Sequence, residues 1–142
     1  MKLARYNGVS VHRYIKGARS ERELINTLYE NSYSVMRSAG SGVNSLSPDI
    51  IAFKDGKGFA FECKAWNKGR LAIEPEKFEV LKKWKSNTGM ETMIAWRMNG
   101  KGWFFIDLNE MKKTEKSYSV TRKVALEINR RIDFMPGLNA KQ

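Results

Sequence analysis

The chain has 142 residues, of which 42% are hydrophobic and 29% are charged, and this composition is typical of one globular domain rather than a disordered segment. Its 26 Lys and Arg residues outnumber its 15 Asp and Glu residues, which gives a formal net charge of +11. An excess of this size favours a polyanionic partner such as nucleic acid, because bound phosphates release their condensed counterions. A solvated basic surface without a ligand is the alternative that composition leaves open.

Other classes of protein are disfavoured by features that the sequence lacks. No apolar run approaches the roughly 20 residues of a spanning helix, and the first residues do not form the apolar stretch of a signal peptide. The single cysteine, Cys63, predicts a cytoplasmic location. His12 is the only histidine, which disfavours a histidine-based zinc site and a Ser-His-Asp triad. Glycine-rich nucleotide-binding motifs do not occur, so we expect no nucleotide cofactor. Because the sequence has neither a spanning run nor a basic amphipathic helix, we also expect no membrane partner.

Hydrophobic periodicity and turn residues divide the chain into an alternating series of elements. In chain order they are a basic arm at 1–16, a helix at 19–31, a strand at 34–39, a polar loop at 40–47, strands at 49–53 and 58–65, a basic loop at 66–70, a helix at 74–86, strands at 91–97 and 103–107, and a helix at 121–131. This order predicts a single α/β domain over 17–135, in which helices flank a mixed β-sheet, followed by a C-terminal tail at 136–142.

The two strands on either side of Asp55-Gly56 are predicted to pair as a hairpin, because this dipeptide favours a type I′ turn with positive φ at both positions. Counting outward from the turn places Asp49 opposite Glu62, with Cβ atoms about 5 Å apart. Lys64 shares their face, because side chains alternate along a strand. Three ionisable groups therefore converge at the open end of the hairpin. The opposite face is apolar and is predicted to enter the core, with Ile50, Ala52, Phe59, Phe61 and Cys63.

Two carboxylates held this close repel each other unless a cation lies between them. Lys64 supplies one positive charge, so a structural cluster of ion pairs is one interpretation. A divalent metal is the other, since two carboxylates that leave coordination positions open suit Mg²⁺, with Mn²⁺ as a substitute. The ion would ease deprotonation of a water and neutralise a phosphate, while Lys64 would stabilise the developing charge. The second interpretation is the chemistry of phosphodiester hydrolysis.

Glu62-Cys63-Lys64 is a weak pattern by itself, because Glu110-Met111-Lys112 repeats it. The second copy lacks an upstream Pro-Asp and a hairpin that would bring an Asp opposite, so we interpret it as surface. Pro48-Asp49, a short hairpin and then Glu-x-Lys on a strand form a more specific combination.

Four short motifs occur in a fixed order: KGARSEREL at 16–24, RSAGSG at 37–42, PDIIA at 48–52 and FECK at 61–64. In order and spacing they resemble the archaeal Holliday junction resolvases and their phage and viral relatives, members of the PD-(D/E)xK nuclease superfamily. The resemblance covers about residues 16–107. It implies a homodimeric, Mg²⁺-dependent nuclease with a restriction-endonuclease-like fold, which recognises a four-way DNA junction by shape and nicks two opposed strands.

The resemblance also implies roles for individual residues. Asp49 and Glu62 would be metal ligands, with the Cys63 carbonyl as an additional one, and Lys64 would be the catalytic lysine. Glu21 matches a further acidic ligand or metal-water contact, although a carboxylate in the first turn of a helix is also favourable without a metal.

Ser41 matches an active-site serine that would contact the scissile phosphate, while ordinary turn chemistry also accounts for a serine between glycines. Arg22 and Arg37 match positions that contact DNA or buttress the site, although each could be an ordinary surface cation. Five further residues would contact DNA: Lys16, Arg19, Trp66, Lys68 and Arg70. The chain departs from the family by some nine extra N-terminal residues and by a less basic loop over 43–47.

Two other functions stay open at this point. A PD-(D/E)xK restriction or repair endonuclease with another DNA substrate would use the same three groups. A DNA-binding protein without catalysis would keep the basic surface, but it would gain little from carboxylates clustered near phosphates.

Overall fold

The computed structural model of the protein describes residues 5–6, 9–38 and 45–135. The helices in these ranges are α1 (Val11–Glu30), α2 (Pro75–Thr88) and α3 (Arg122–Ile128). The strands are β1 (Arg5–Tyr6), β2 (Val9–Ser10), β3 (Ser34–Arg37), β4 (Ile50–Lys54), β5 (Lys57–Ala65), β6 (Arg70–Ile73), β7 (Glu91–Met98), β8 (Gly102–Asp107), β9 (Lys112–Lys113) and β10 (Tyr118–Thr121).

Five strands form a mixed sheet in the order β3-β4-β5-β7-β8. Neighbouring strands in it are antiparallel except for β5 and β7, which run parallel. Helix α2 lies in the connection between these two strands, because the chain must cross back before it can start a second strand in the same direction. The predicted mixed sheet flanked by helices is confirmed.

The large sheet separates two hydrophobic clusters. The first joins the sheet to α2 and to a smaller sheet of order β6-β10-β9, and its buried members include Leu71, Ile73, Phe78, Leu81, Ile94, Trp96, Phe104, Ile106 and Val120. The second joins the opposite face to α1, and its buried members include Leu24, Leu28, Ile50, Ala52, Phe59, Phe61, Met93, Ala95 and Phe105. The predicted apolar face of the hairpin therefore does enter the core, where each fully buried Ile or Phe side chain contributes about 1.5–3 kcal/mol.

The β4–β5 hairpin has the predicted turn and register. Asp55 and Gly56 have φ values of 50° and 78°, as a type I′ turn requires. Lys54 lies opposite Lys57, and the pairing continues outward without a bulge to Ile50 opposite Phe61. The next position outward on each strand is Asp49 and Glu62.

Several predicted boundaries were wrong. Helix α1 begins at Val11 rather than Arg19, and Gly17 lies inside it; a helical glycine costs only about 1 kcal/mol, which tertiary packing of Leu24 and Leu28 outweighs. Helix α3 ends at Ile128, before Asn129 adopts a left-handed conformation.

The small sheet was not predicted, because β9 and β10 are too short and polar to show a period. Most of the predicted loop at 40–47, with Ser41, lies outside the described residues, as does the tail at 136–142. No described helix is both long enough and apolar enough to cross a membrane.

Candidate active site

Asp49 is oriented by the backbone of the neighbouring strand. It immediately precedes β4, and its Oδ2 accepts a hydrogen bond of 2.8 Å from the Cys63 amide in β5. The carboxyl group of Glu62, one residue earlier in β5, lies close enough to share a hydrogen bond with Asp49. The structure therefore brings the two predicted carboxylates together at the open end of the hairpin.

Glu62 is buried, with 6% of its surface exposed. Burial, reinforced by the negative charge of Asp49, raises the pKa of Glu62 to about 8, although Lys77 and Lys64 act in the opposite direction. Its Oε1 atom is buried and has no hydrogen-bond partner among the described residues. Such an atom is costly unless a cation reaches it.

Lys64 lies on the same face as Glu62, two residues further along β5 and opposite Trp96 of β7. Its positive charge acts on both Glu62 and Cys63. Lys64 is half-buried. The three-residue cluster predicted from the hairpin register is therefore present.

The sequence did not single out a second lysine at this site, Lys77. Its Nζ lies 3.6 Å from Oε1 of Glu62 and donates a hydrogen bond of 2.9 Å to the carbonyl oxygen of Ser47. A crossover helix between parallel strands begins at the carboxyl end of the first strand, which is where β5 carries Glu62. This rule would have predicted that a cation in the first turn of α2, such as Lys77, lies near the site.

Glu21 lies at the edge of the cluster rather than inside it. Its Oε2 accepts a hydrogen bond of 3.1 Å from Arg37 Nε. Burial raises the pKa of Glu21, the Asp49 charge adds to the increase, and Arg37 opposes it. In the described part of the chain, no three acidic, histidine or cysteine side chains are grouped so that they could hold a metal. Glu21 as a ligand stays a prediction.

The pair of carboxylates suits a hard divalent cation, which prefers oxygen ligands. Oε1 of Glu62 accepts no hydrogen bond among the described residues and has only the Lys77 ammonium group nearby, at 3.6 Å, so it is the atom that such an ion would contact. The Cys63 thiol is not suited to this role, because burial and the surrounding carboxylates raise its pKa well above the usual value and keep it neutral. The residues present therefore fit an oxygen-ligated ion.

A second polar network, also missed from the sequence, fixes α1 on the sheet. Glu23 accepts hydrogen bonds from Arg97 Nε at 2.9 and 3.0 Å and from Trp103 Nε1 at 3.0 Å. These contacts join the helix that carries Glu21 to β7 and β8. The partners of Glu23 are 74 and 80 residues away in sequence, so no local pattern indicates the network.

The predicted DNA contacts lie in three places. Lys16, Arg19 and Arg22 are exposed on α1. Arg37 is 55% exposed beside Glu21. In the basic loop Lys68 and Arg70 are exposed, and Lys68 Nζ lies 5.2 Å from the centre of the Trp66 ring.

Trp66 itself is half-buried and packs against the first hydrophobic cluster. Its indole N–H is buried and has no partner among the described residues, so only part of the ring is available to a ligand. Its contact with DNA stays a prediction.

The second Glu-x-Lys pattern has a structural role. Glu110 forms an ion pair of 2.6 Å with Arg130 and caps the turn after Asp107. Lys112 points into solvent in β9. Neither residue joins the cluster around Glu62.

The sequence matches a known family over most of its length. A family model of the archaeal Holliday junction resolvases (Hjc) matches residues 12–138. The chain is 30% identical over 110 residues to the crossover junction endodeoxyribonuclease Hjc of Archaeoglobus fulgidus, which covers 77% of this chain and 81% of that protein. It is 33% identical over 114 residues to the enzyme of the same name from Methanocaldococcus jannaschii, which covers 80% of this chain and 81% of that protein.

A solved structure is also similar. It is that of Archaeoglobus fulgidus Hjc, described as a Holliday junction resolvase from an archaeal hyperthermophile. The two structures have a TM-score of 0.73 and 27% sequence identity over 78% of this chain and 93% of that chain.

Proposed function

Because this chain belongs to the archaeal Holliday junction resolvase family, we propose that it is an endonuclease that resolves four-way DNA junctions by nicking two opposed strands. The observation that carries the proposal is the pairing of Asp49 with Glu62 beside Lys64 at the end of the hairpin. Two similar proteins are named crossover junction endodeoxyribonucleases. The basic surface supplies the attraction to DNA phosphates.

Nucleases of this family use a divalent metal ion, and we propose Mg²⁺, with Mn²⁺ as a substitute. Asp49 and Glu62 would hold it, with Glu21 and the Cys63 carbonyl as further oxygen ligands. When bound, the ion lowers the pKa of a water and neutralises negative charge on the phosphate that is attacked.

The chain's own residues orient the carboxylates and supply positive charge for this reaction. The Cys63 amide holds the Asp49 carboxylate in one orientation. Lys64 places a positive charge beside the carboxylates, where it stabilises charge that develops on the reacting phosphate. Ser41 is proposed to contact the scissile phosphate.

We propose that a homodimer presents two such sites to one junction. A two-fold axis relates the two protomers and also relates opposed strands of a four-way junction, so symmetry places one site on each strand that is cut. Cations on α1 and in the basic loop would hold the duplex arms: Lys16, Arg19, Arg22, Lys68 and Arg70, with Arg37 and Trp66 near the site.

The experiment that tests the function compares cleavage of a four-way junction, a flap, a nicked duplex and a plain duplex, each with and without Mg²⁺. We expect rapid, paired nicks in the junction only when Mg²⁺ is present. Equal cutting of the plain duplex would show a nuclease with another substrate. Tight binding of the junction without cleavage under any divalent metal would show a binding protein.

A further inference from the structure

The positive charge of the chain is concentrated around the small sheet. Residues 66–73 and 112–123 carry seven Lys and Arg residues and one acidic residue, Glu115, which is a net charge of +6 out of +11 for the whole chain. These residues form β6, β9, β10, the loop before β6 and the start of α3. We call this set the basic sheet.

The cations of the basic sheet face solvent. The side chains of Leu71, Ile73 and Val120 on one face of the sheet are buried in the first hydrophobic cluster, whereas the strand register places Arg70 and Lys112 on the opposite face. Six of the cations are exposed and Arg122 is half-buried: Lys68, Arg70, Lys112, Lys113, Lys116 and Lys123 are the exposed ones. None of the seven forms an ion pair with an acidic residue in the described ranges. Unpaired charge at this density is unfavourable unless a polyanion or salt screens it.

The basic sheet is attached to the strand that carries the catalytic lysine. Trp96 lies opposite Lys64 in β7, and its Nε1 donates a hydrogen bond of 2.7 Å to the carbonyl oxygen of Trp66. At the other end of the loop, Arg122 N donates a hydrogen bond of 2.8 Å to Gly69 O. The start of α3 and the loop therefore hold a fixed position relative to the site.

The pairing of the strands places further cations at increasing distance from the site. Arg70 lies opposite Thr121, the residue before Arg122, and Lys112 lies opposite Ser119 on the far strand. The cations therefore lie along a surface that starts at the loop after Lys64 and continues across three strands to β9.

We propose that the basic sheet binds the phosphates of one duplex arm as that arm leaves the junction. The inference rests on the proposed function and adds a second contact surface to it, beyond the loop residues already assigned to DNA. A duplex arm fits the surface because its phosphates repeat at regular intervals, and because the DNA must continue outward from a phosphate held beside Lys64. Such binding gives affinity without sequence preference, because contacts to phosphates carry no sequence information.

The test is the double variant Lys112→Ala with Lys116→Ala, compared with Lys57→Ala with Lys83→Ala. The control removes the same charge from exposed lysines, one at the β4–β5 turn, at the opposite end of β5 from Lys64, and one on α2. Junction affinity is measured without divalent metal over a range of salt concentrations, so that binding is independent of cleavage.

For the basic-sheet variant we expect the slope of log affinity against log salt to fall by about 1.8, since each lost phosphate contact contributes about 0.9. Affinity at moderate salt should fall about tenfold, and the control should change less than twofold. On junctions whose arms are shortened to end before the basic sheet, the variant and the wild type should bind equally.

An unchanged salt slope, or an equal loss of affinity on long and short arms, would overturn the inference while leaving the proposed function intact. Failure of the wild type to cut any junction would refute the proposed function without bearing on where DNA is bound. Thermal melting of both double variants verifies that they fold. If the Lys112→Ala, Lys116→Ala double variant does not fold, the two single variants replace it.

Discussion

The ammonium group of Lys77 lies 3.6 Å from Oε1 of Glu62, and it also donates a hydrogen bond of 2.9 Å to the carbonyl oxygen of Ser47. One side chain thus links a proposed metal ligand to the segment that leads into Asp49. The side chain is 22% exposed, so its position is defined by these partners and by the start of α2. This arrangement predicts that Lys77 positions Glu62 and the segment that leads into Asp49.

Lys77→Met should lower kcat for junction cleavage by about 10–100-fold, which is the usual cost of removing a residue that orients a metal ligand. Junction affinity without metal should change less than about twofold, because Lys77 is engaged with the protein rather than exposed to DNA. Lys77→Arg should restore part of the rate. Lys83→Met, an exposed position on the same helix, is the matched control and should cleave normally. A change in affinity without a change in kcat would mean that Lys77 binds DNA instead.

Asp49→Asn should abolish metal-dependent cleavage, with a loss of at least about a hundredfold, and should leave junction binding intact. The amide keeps the size of the carboxylate but removes the charge that attracts a divalent cation. Asp55→Asn is the control, because it makes the same change at the turn of the same hairpin, where asparagine also tolerates positive φ. The assay is single-turnover nicking of a four-way junction. Normal cutting by Asp49→Asn would disprove the site assignment.

The raised pKa of Glu62 predicts how the metal-free protein responds to pH. A carboxyl group whose pKa rises from 4.5 to about 8 on folding stabilises the fold while it is protonated. That contribution is fully present below about pH 4.5 and is lost as the pH rises through about 8. The melting temperature of the metal-free wild type should therefore fall between pH 5 and pH 8 relative to that of Glu62→Gln, which cannot lose the proton.

Adding Mg²⁺ should reverse this trend. A metal ion competes with the proton for Glu62, so stabilisation by Mg²⁺ should be larger at pH 8 than at pH 6. Melting curves at both pH values, with and without Mg²⁺, measure the difference. Equal stabilisation at the two pH values would show that Glu62 is not a ligand.

Breaking the network around Glu23 should lower the stability of the fold and, as a secondary effect, the activity. Arg97→Met removes the hydrogen-bonded ion pair that joins α1 to β7. It should lower the free energy of unfolding by about 1–2 kcal/mol, which is less than a buried ion pair would contribute, because both side chains are partly exposed to solvent. Glu30→Gln, an exposed change at the end of α1, should cost less than about 0.5 kcal/mol. Urea unfolding measures both. Equal stability of the two variants would contradict this role for the network.

Local sequence signals were sufficient where structure depends on neighbouring residues. The Asp55-Gly56 turn defines its own register, and two-residue alternation then determines which side chains share a face, so Asp49, Glu62 and Lys64 could be grouped without coordinates. The apolar period of α2 likewise identified Phe78 and Leu81 as core residues.

Contacts between distant elements could not be predicted in the same way. Lys77 reaches Glu62 only because α2 crosses over the sheet, and Glu23 meets Arg97 only after α1 packs on the opposite face. The start of α1 was misplaced for a related reason: local propensity at Gly17 was weaker than the packing of the helix as a whole. Residues whose function depends on such packing carry no periodic signal.

The hydrogen bond from the Cys63 amide to Asp49 comes from the main chain, so the side chain at position 63 is not what directs the carboxylate. Small apolar replacements there should be tolerated by catalysis so long as they fill the same space. Inserting a single residue between positions 57 and 62 would be far more damaging, since it would turn Glu62 away and present the wrong amide to Asp49. In this protein, the spacing from the turn is a stricter requirement than the identity of the residue between the acid and the lysine.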